Sequence, residues 1–179
     1  MYLGSKKIAF LGLLTAFGVV LIVLSGVLEF STFFFLALAA FCVGIAVQEA
    51  GVKLGGGVFV ATVILGLLVA PNKLYCFTYS AFTIYLLAIE VTVRLLEKKI
   101  EDLNQRRCVT MFLKFLYFNL IYLPTLFLLP KLIYNGEFTP IVYGIAIVGG
   151  QLIFYVFDRV YVSFMVYYNQ VLRKHLPMN

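Results

Sequence analysis

The chain has 179 residues, of which 63% are hydrophobic and only 12% charged. Soluble domains carry about 25% charged residues, so this balance excludes an ordinary soluble domain and belongs in lipid. The formal net charge of +6 would suggest nucleic acid in a soluble protein, but here the cations collect where one membrane face would lie, and no nucleic-acid partner is expected.

Taken in order, residues 1–7 form a short basic leader ending in Lys6 and Lys7. Residues 8–28 are apolar and long enough to span, given the roughly 20 residues a membrane helix needs. A cleavable signal peptide is the rival reading, because Val23-Leu24-Ser25 loosely resembles a cleavage site. The run exceeds the usual apolar region of about 7–15 residues, so it is taken as span one. Residues 29–31 make a minimal turn. Residues 32–48 are span two, closed by a turn at 49–53 in which Gly51 suits a helix end. Residues 54–70 are span three, opening on Gly55-Gly56-Gly57, and Pro71-Asn72-Lys73 breaks the chain.

Residues 74–96 are span four. Residues 97–107, Glu-Lys-Lys-Ile-Glu-Asp-Leu-Asn-Gln-Arg-Arg, are the one strongly hydrophilic run before the C-terminal tail. They read as a loop in water, because charged side chains cost a few kcal/mol each at the bilayer centre. Residues 108–129 are span five, with Pro124 a candidate kink. Residues 130–138 form the longest outer loop. Span six begins at Thr139 and reaches the far interface near Asp158 and Arg159, with helix continuing to about Leu172 as an amphipathic extension. The expected fold is all-α: one six-helix transmembrane domain over residues 1–179.

Charge orients it. Lys98, Lys99, Arg106 and Arg107 place the hydrophilic run on the cytoplasmic side by the positive-inside rule. Lys6, Lys7, Lys53, Arg94, Arg173 and Lys174 then fall at the same face, and only Lys73 and Lys131 fall outside. Both termini are expected in the cytoplasm, and the location is expected to be a bacterial plasma membrane.

Ionisable and amide groups within spans are the functional candidates. Glu90 and Arg94, four apart, read as a structural ion pair. Lys114 and Asp158 lie at similar depth and either pair or snorkel separately. Asn119 on span five and Gln151 on span six lie near the midplane, where amides act as helix glue worth about 1 kcal/mol or less. Tyr75, Tyr79, Ser80, Thr83, Tyr122 and Tyr143 lie above them towards the outer face. This company suggests an outward cavity with aromatic walls, lined by Tyr79, Asn119, Tyr122, Tyr143 and Gln151. The plainer reading of the tyrosines is an interfacial belt. Four pairs of small residues, Gly12/Ala16, Ala40/Gly44, Gly57/Ala61 and Ala146/Gly150, offer helix-packing faces.

Catalysis is not expected. The lone His175 lies in the tail, the spans hold no paired Asp residues, and there is no phosphate loop. Cys42, Cys76 and Cys108 are far apart and form no metal pattern, so no metal or cofactor is expected.

About twenty kilodaltons, six spans and almost no loops: this layout resembles the substrate-binding S components of energy-coupling factor (ECF) transporters. The stretch Lys6-Lys7-Ile8-Ala9-Phe10-Leu11-Gly12-Leu13-Leu14-Thr15-Ala16-Phe17 looks like their first helix. The resemblance implies that Gly12 and Ala16 dock the chain onto a membrane coupling subunit served by ATPase subunits. It also implies an outward site for a small molecule such as a vitamin, closed by an outer loop. With 29–31 so short, that lid role would fall to 130–138. A non-transporting membrane subunit or assembly factor is the alternative.

Overall fold

The computed structural model describes residues 4–28, 31–128 and 139–173. They form six α-helices and, among the described residues, no strand: α1 (Ser5–Val27), α2 (Thr32–Ala50), α3 (Val52–Val69), α4 (Leu74–Lys99), α5 (Leu103–Leu128) and α6 (Pro140–Tyr167), the last followed by a π-helical turn at Tyr168–Leu172. All six are long and apolar enough to cross a membrane. The all-α polytopic fold expected from the apolar runs is the one the chain adopts. Large apolar side chains stay exposed along the helices, among them Leu13 and Phe17 on α1, Ile64 and Leu68 on α3, and Ile145 and Leu152 on α6. Such surfaces suit contact with lipid, where a helix has satisfied its own backbone. The 29–30 turn, the 130–138 loop with its suggested lid role, and Lys174 and His175 lie outside the described residues.

The hydrophilic run is not the loop that its composition suggests. α4 continues to Lys99 and α5 starts at Leu103, leaving three residues, 100–102, between them. Charge keeps this run out of lipid, but Glu, Lys, Arg and Gln are good helix formers. Asp102 caps α5: its Oδ1 accepts from the backbone N–H of Asn104 at 2.9 Å. Lys98 and Lys99 fall in the last turn of α4, where cations complement the helix dipole.

The chain divides into two compact units, Met1–Tyr117 and Phe118–Asn179. In the first, α1 to α4 pack together around α2. From Ala39 to Val47 every residue of α2 is buried, as expected of a helix apolar on all sides. Gly51 turns the chain from α2 into α3 at φ 88°, ψ 167°, a conformation essentially reserved for glycine. Gly55 then lies against Val47 so closely that a Cβ would meet its side chain and backbone.

Small residues set the α1–α3 approach, but not the pair that the sequence suggested for α3. Its buried face is Gly55, Val58, Thr62 and Gly66, whereas Gly57 is exposed. A Cβ on Gly18 of α1 would stand 3.2 Å from Thr62 Cγ2, and one on Gly66 would stand 3.3 Å from Ile22 Cδ1. The reason is geometric: α3 is apolar all round, so spacing alone does not choose among its small-residue stripes.

In the second unit, Thr139 caps α6, its side chain accepting from Val142 N–H, and Pro140 occupies the first turn, where its missing N–H costs nothing. Pro124 lies inside α5, which continues through it to Leu128.

Candidate functional site

Four of the five residues expected to line a cavity lie on one seam of the second unit, between α5 and α6. Gln151 Nε2 donates to Asn119 Oδ1 at 2.9 Å. Tyr122 Oη donates to the main-chain oxygen of Ala146 at 2.7 Å. Tyr143 stacks on Phe127, with ring centroids 5.7 Å apart. At the other end, Phe118 stacks on Phe154 at 4.4 Å and on Tyr122 at 5.0 Å. The partners descend along α5 as they ascend along α6, which is the register of an antiparallel helix pair.

Gly150 makes the Tyr122 contact possible. A Cβ there would strike the ring and hydroxyl of Tyr122. The small pair Ala146/Gly150 therefore receives an aromatic side chain, and bare backbone at Gly150 lets the phenol reach a carbonyl that already serves the helix. The sequence alone suggests Tyr122 as a cavity wall and Ala146/Gly150 as a helix-packing face. Their spacing on facing helices was the available signal that they belong together.

Among the described residues, the seam has one unanswered group. Gln151 Oε1 is buried and has no hydrogen-bond partner, while its Nε2 holds Asn119. A buried acceptor left unmade is costly, on the order of 1–3 kcal/mol, and such groups call for a donor.

Tyr79 belongs to the first unit. It is fully buried, beside Phe59 with ring centroids 6.1 Å apart. Its hydroxyl and that of Thr62 are both buried and lie close to each other, but neither makes a hydrogen bond of good geometry. Its suggested companions Ser80 and Thr83 bond to carbonyls of their own helix, Cys76 at 2.7 Å and Tyr79 at 2.9 Å. Gly12 and Ala16 are exposed on α1, and a Cβ on Gly12 would meet nothing within 4 Å. They face away from Leu14, Gly18, Leu21, Ile22 and Ser25, the side that α1 buries. Cys42, Cys76 and Cys108 are free thiols, the first two buried and the third exposed. Among the described residues, no group of His, Cys, Asp and Glu is placed to hold a metal ion.

The chain matches no family model, no curated protein and no solved structure.

Proposed function

We propose that the chain is a non-catalytic, multi-pass membrane subunit whose intramembrane polar groups hold its own helices together and which works bound to another membrane protein. The observation that carries this reading is the Gln151–Asn119 hydrogen bond. With Tyr122 bonded to Ala146, three of the groups suited to a ligand are instead engaged with each other or with backbone across α5 and α6. The outward Gly12/Ala16 face of α1 supports the second half of the reading, since small residues let another helix approach closely. The test is Gly12→Leu plus Ala16→Leu. The variant should melt as the parent does, because neither side chain is buried within the chain, and should migrate on a native gel as the free subunit rather than as a complex. Unchanged migration would mean that this face meets lipid alone.

A second reading keeps the ECF-like role: capture of a small molecule for a coupling subunit and its ATPases. Gln151 Oε1, a buried acceptor without a donor, favours it. Native mass spectrometry after mild extraction tests it directly. A small molecule that co-purifies with the parent and is lost from Gln151→Leu supports capture; its presence in both, or in neither, removes the support.

A further inference from the structure

α6 is longer than a bilayer requires. About 20 residues cross the roughly 30 Å hydrocarbon core, whereas the helical segment runs from Pro140 to Leu172. At about 1.5 Å per residue, Arg159 stands about 28 Å beyond Pro140, so a span that starts at Pro140 reaches the opposite hydrocarbon boundary near Arg159. There a shallow groove of about 440 Å³ is lined by Arg159, Val160, Ser163, Phe164 and Tyr167.

The groove has two characters. Tyr155, Arg159, Ser163 and Tyr167 follow one another at four-residue steps, so they form one stripe along the helix. All four are exposed. The Arg159 guanidinium lies over the Tyr155 ring at 5.1 Å, which fixes its place beside the helix and leaves its charge intact. Val160 and Phe164 supply the apolar wall. A cation where headgroups meet acyl chains, with two hydroxyls on its water side and exposed Val156 and Leu152 on its lipid side, complements one ligand chemistry: a phosphate diester carrying hydrocarbon.

We propose that this groove binds an anionic phospholipid, with Arg159 holding the phosphate, Ser163 and Tyr167 offering hydroxyl donors to the headgroup on the water side, and the acyl chains running inward along exposed Val156 and Leu152. Arginine is suited to the task because its planar fork meets phosphate oxygens in pairs. The cation bias expected at this membrane face adds to the attraction for an anionic leaflet.

The experiment is native mass spectrometry of the full chain in neutral detergent, titrated with phosphatidylglycerol or with phosphatidylcholine. Phosphatidylglycerol should bind about tenfold more tightly, and Arg159→Gln should remove most of that difference, as expected for loss of a charge-assisted hydrogen bond. Lys98→Gln, a cation removed from the exposed end of α4, should leave it unchanged. Equal binding of the two lipids by the parent, or equal losses in the Arg159 and Lys98 variants, would overturn the proposal. So would competition by millimolar inorganic phosphate, because it would mark the groove as a site for soluble anions. If Arg159→Gln does not fold, Tyr167→Phe and Ser163→Ala decide. Together they should weaken phosphatidylglycerol selectivity several-fold, and full selectivity in that variant would count against the groove.

Discussion

The guanidinium of Arg94 on α4 donates from Nη2 to the main-chain oxygen of Val47 on α2, 2.8 Å away. The same oxygen accepts the N–H of Gly51 at 2.9 Å. Val47 lies near the C-terminal end of α2, where the dipole is negative, and Arg94 gives its oxygen a second bond beside the one from the helix cap. Arg94 therefore acts as a cation placed on a helix end, a role that its spacing from Glu90 did not reveal. The contact ties α4 to the corner at which Gly51 turns α2 into α3.

Removing that cation should loosen the corner. Arg94→Gln is expected to lower stability by about 1–2 kcal/mol, from the lost charged hydrogen bond and dipole interaction. Arg94→Lys should recover part of it. Thermal unfolding in detergent reads both, and an unchanged melting temperature in Arg94→Gln would mean that the bond contributes nothing net.

The amide pair lends itself to a double-mutant cycle. Asn119→Leu should destabilise by about 1 kcal/mol, Gln151→Leu by less because it also removes the unanswered Oε1, and the double variant should cost clearly less than their sum, because the second change removes a group already left without its partner. Additive costs would show that the two amides serve separate contacts.

Gly150 should be the least tolerant position on the seam. Gly150→Ala drives a methyl into the Tyr122 ring, and overpacking of this kind costs about 1–3 kcal/mol. Tyr122→Phe loses only the bond to Ala146, about 1 kcal/mol. If Gly150→Ala melts at the parent temperature, Tyr122 does not lie over that glycine.

The helices were legible because apolar runs of spanning length leave few alternatives, and the polar ends of α4 and α5 were not because helix propensity and water solubility coexist in Glu, Lys and Arg. The faces were less legible. On α3 the Gly57/Ala61 stripe and the Gly55/Val58/Thr62/Gly66 stripe look alike in sequence, and only packing against Val47, Gly18 and Ile22 selects the second. At the seam, the matching depths of Asn119 and Gln151 could be counted from the helix ends. That the two amides bond to each other depends on helix rotation, which their surrounding apolar residues do not encode. Tyr79 gave no sign of its burial, since phenol rings suit both a core and an interface.

Topology can be read with little engineering. Asn72 and Asn104 are both exposed, beside the start of α4 and in the first turn of α5, and α4 separates them by one membrane crossing. Cys42 and Cys76 are buried and Cys108 is exposed, so Cys108→Ser removes the thiol most open to reagent. In that background, Asn72→Cys should react with an impermeant maleimide in intact cells and Asn104→Cys only after lysis. The reverse pattern would invert the assignment drawn from the positive-inside rule.

Tyr79 offers a prediction whose sign separates two accounts of the first unit. Its hydroxyl and that of Thr62 are buried without a hydrogen bond of good geometry, and each such group costs on the order of 1–3 kcal/mol relative to a satisfied one. If the hydroxyls are idle within the core, Tyr79→Phe removes the penalty and keeps the ring against Phe59, so the melting temperature should stay level or rise. Thr62→Val should behave alike, with a small offset for the tight approach to Gly18. If instead the hydroxyls hold each other or a polar guest, each single change should lower the melting temperature, and the double variant should cost less than the two together. The first outcome is expected here, because Thr83 and Ser80 beside them already bond to their own helix. A fall in both single variants would show the two hydroxyls engaged, with each other or with a guest.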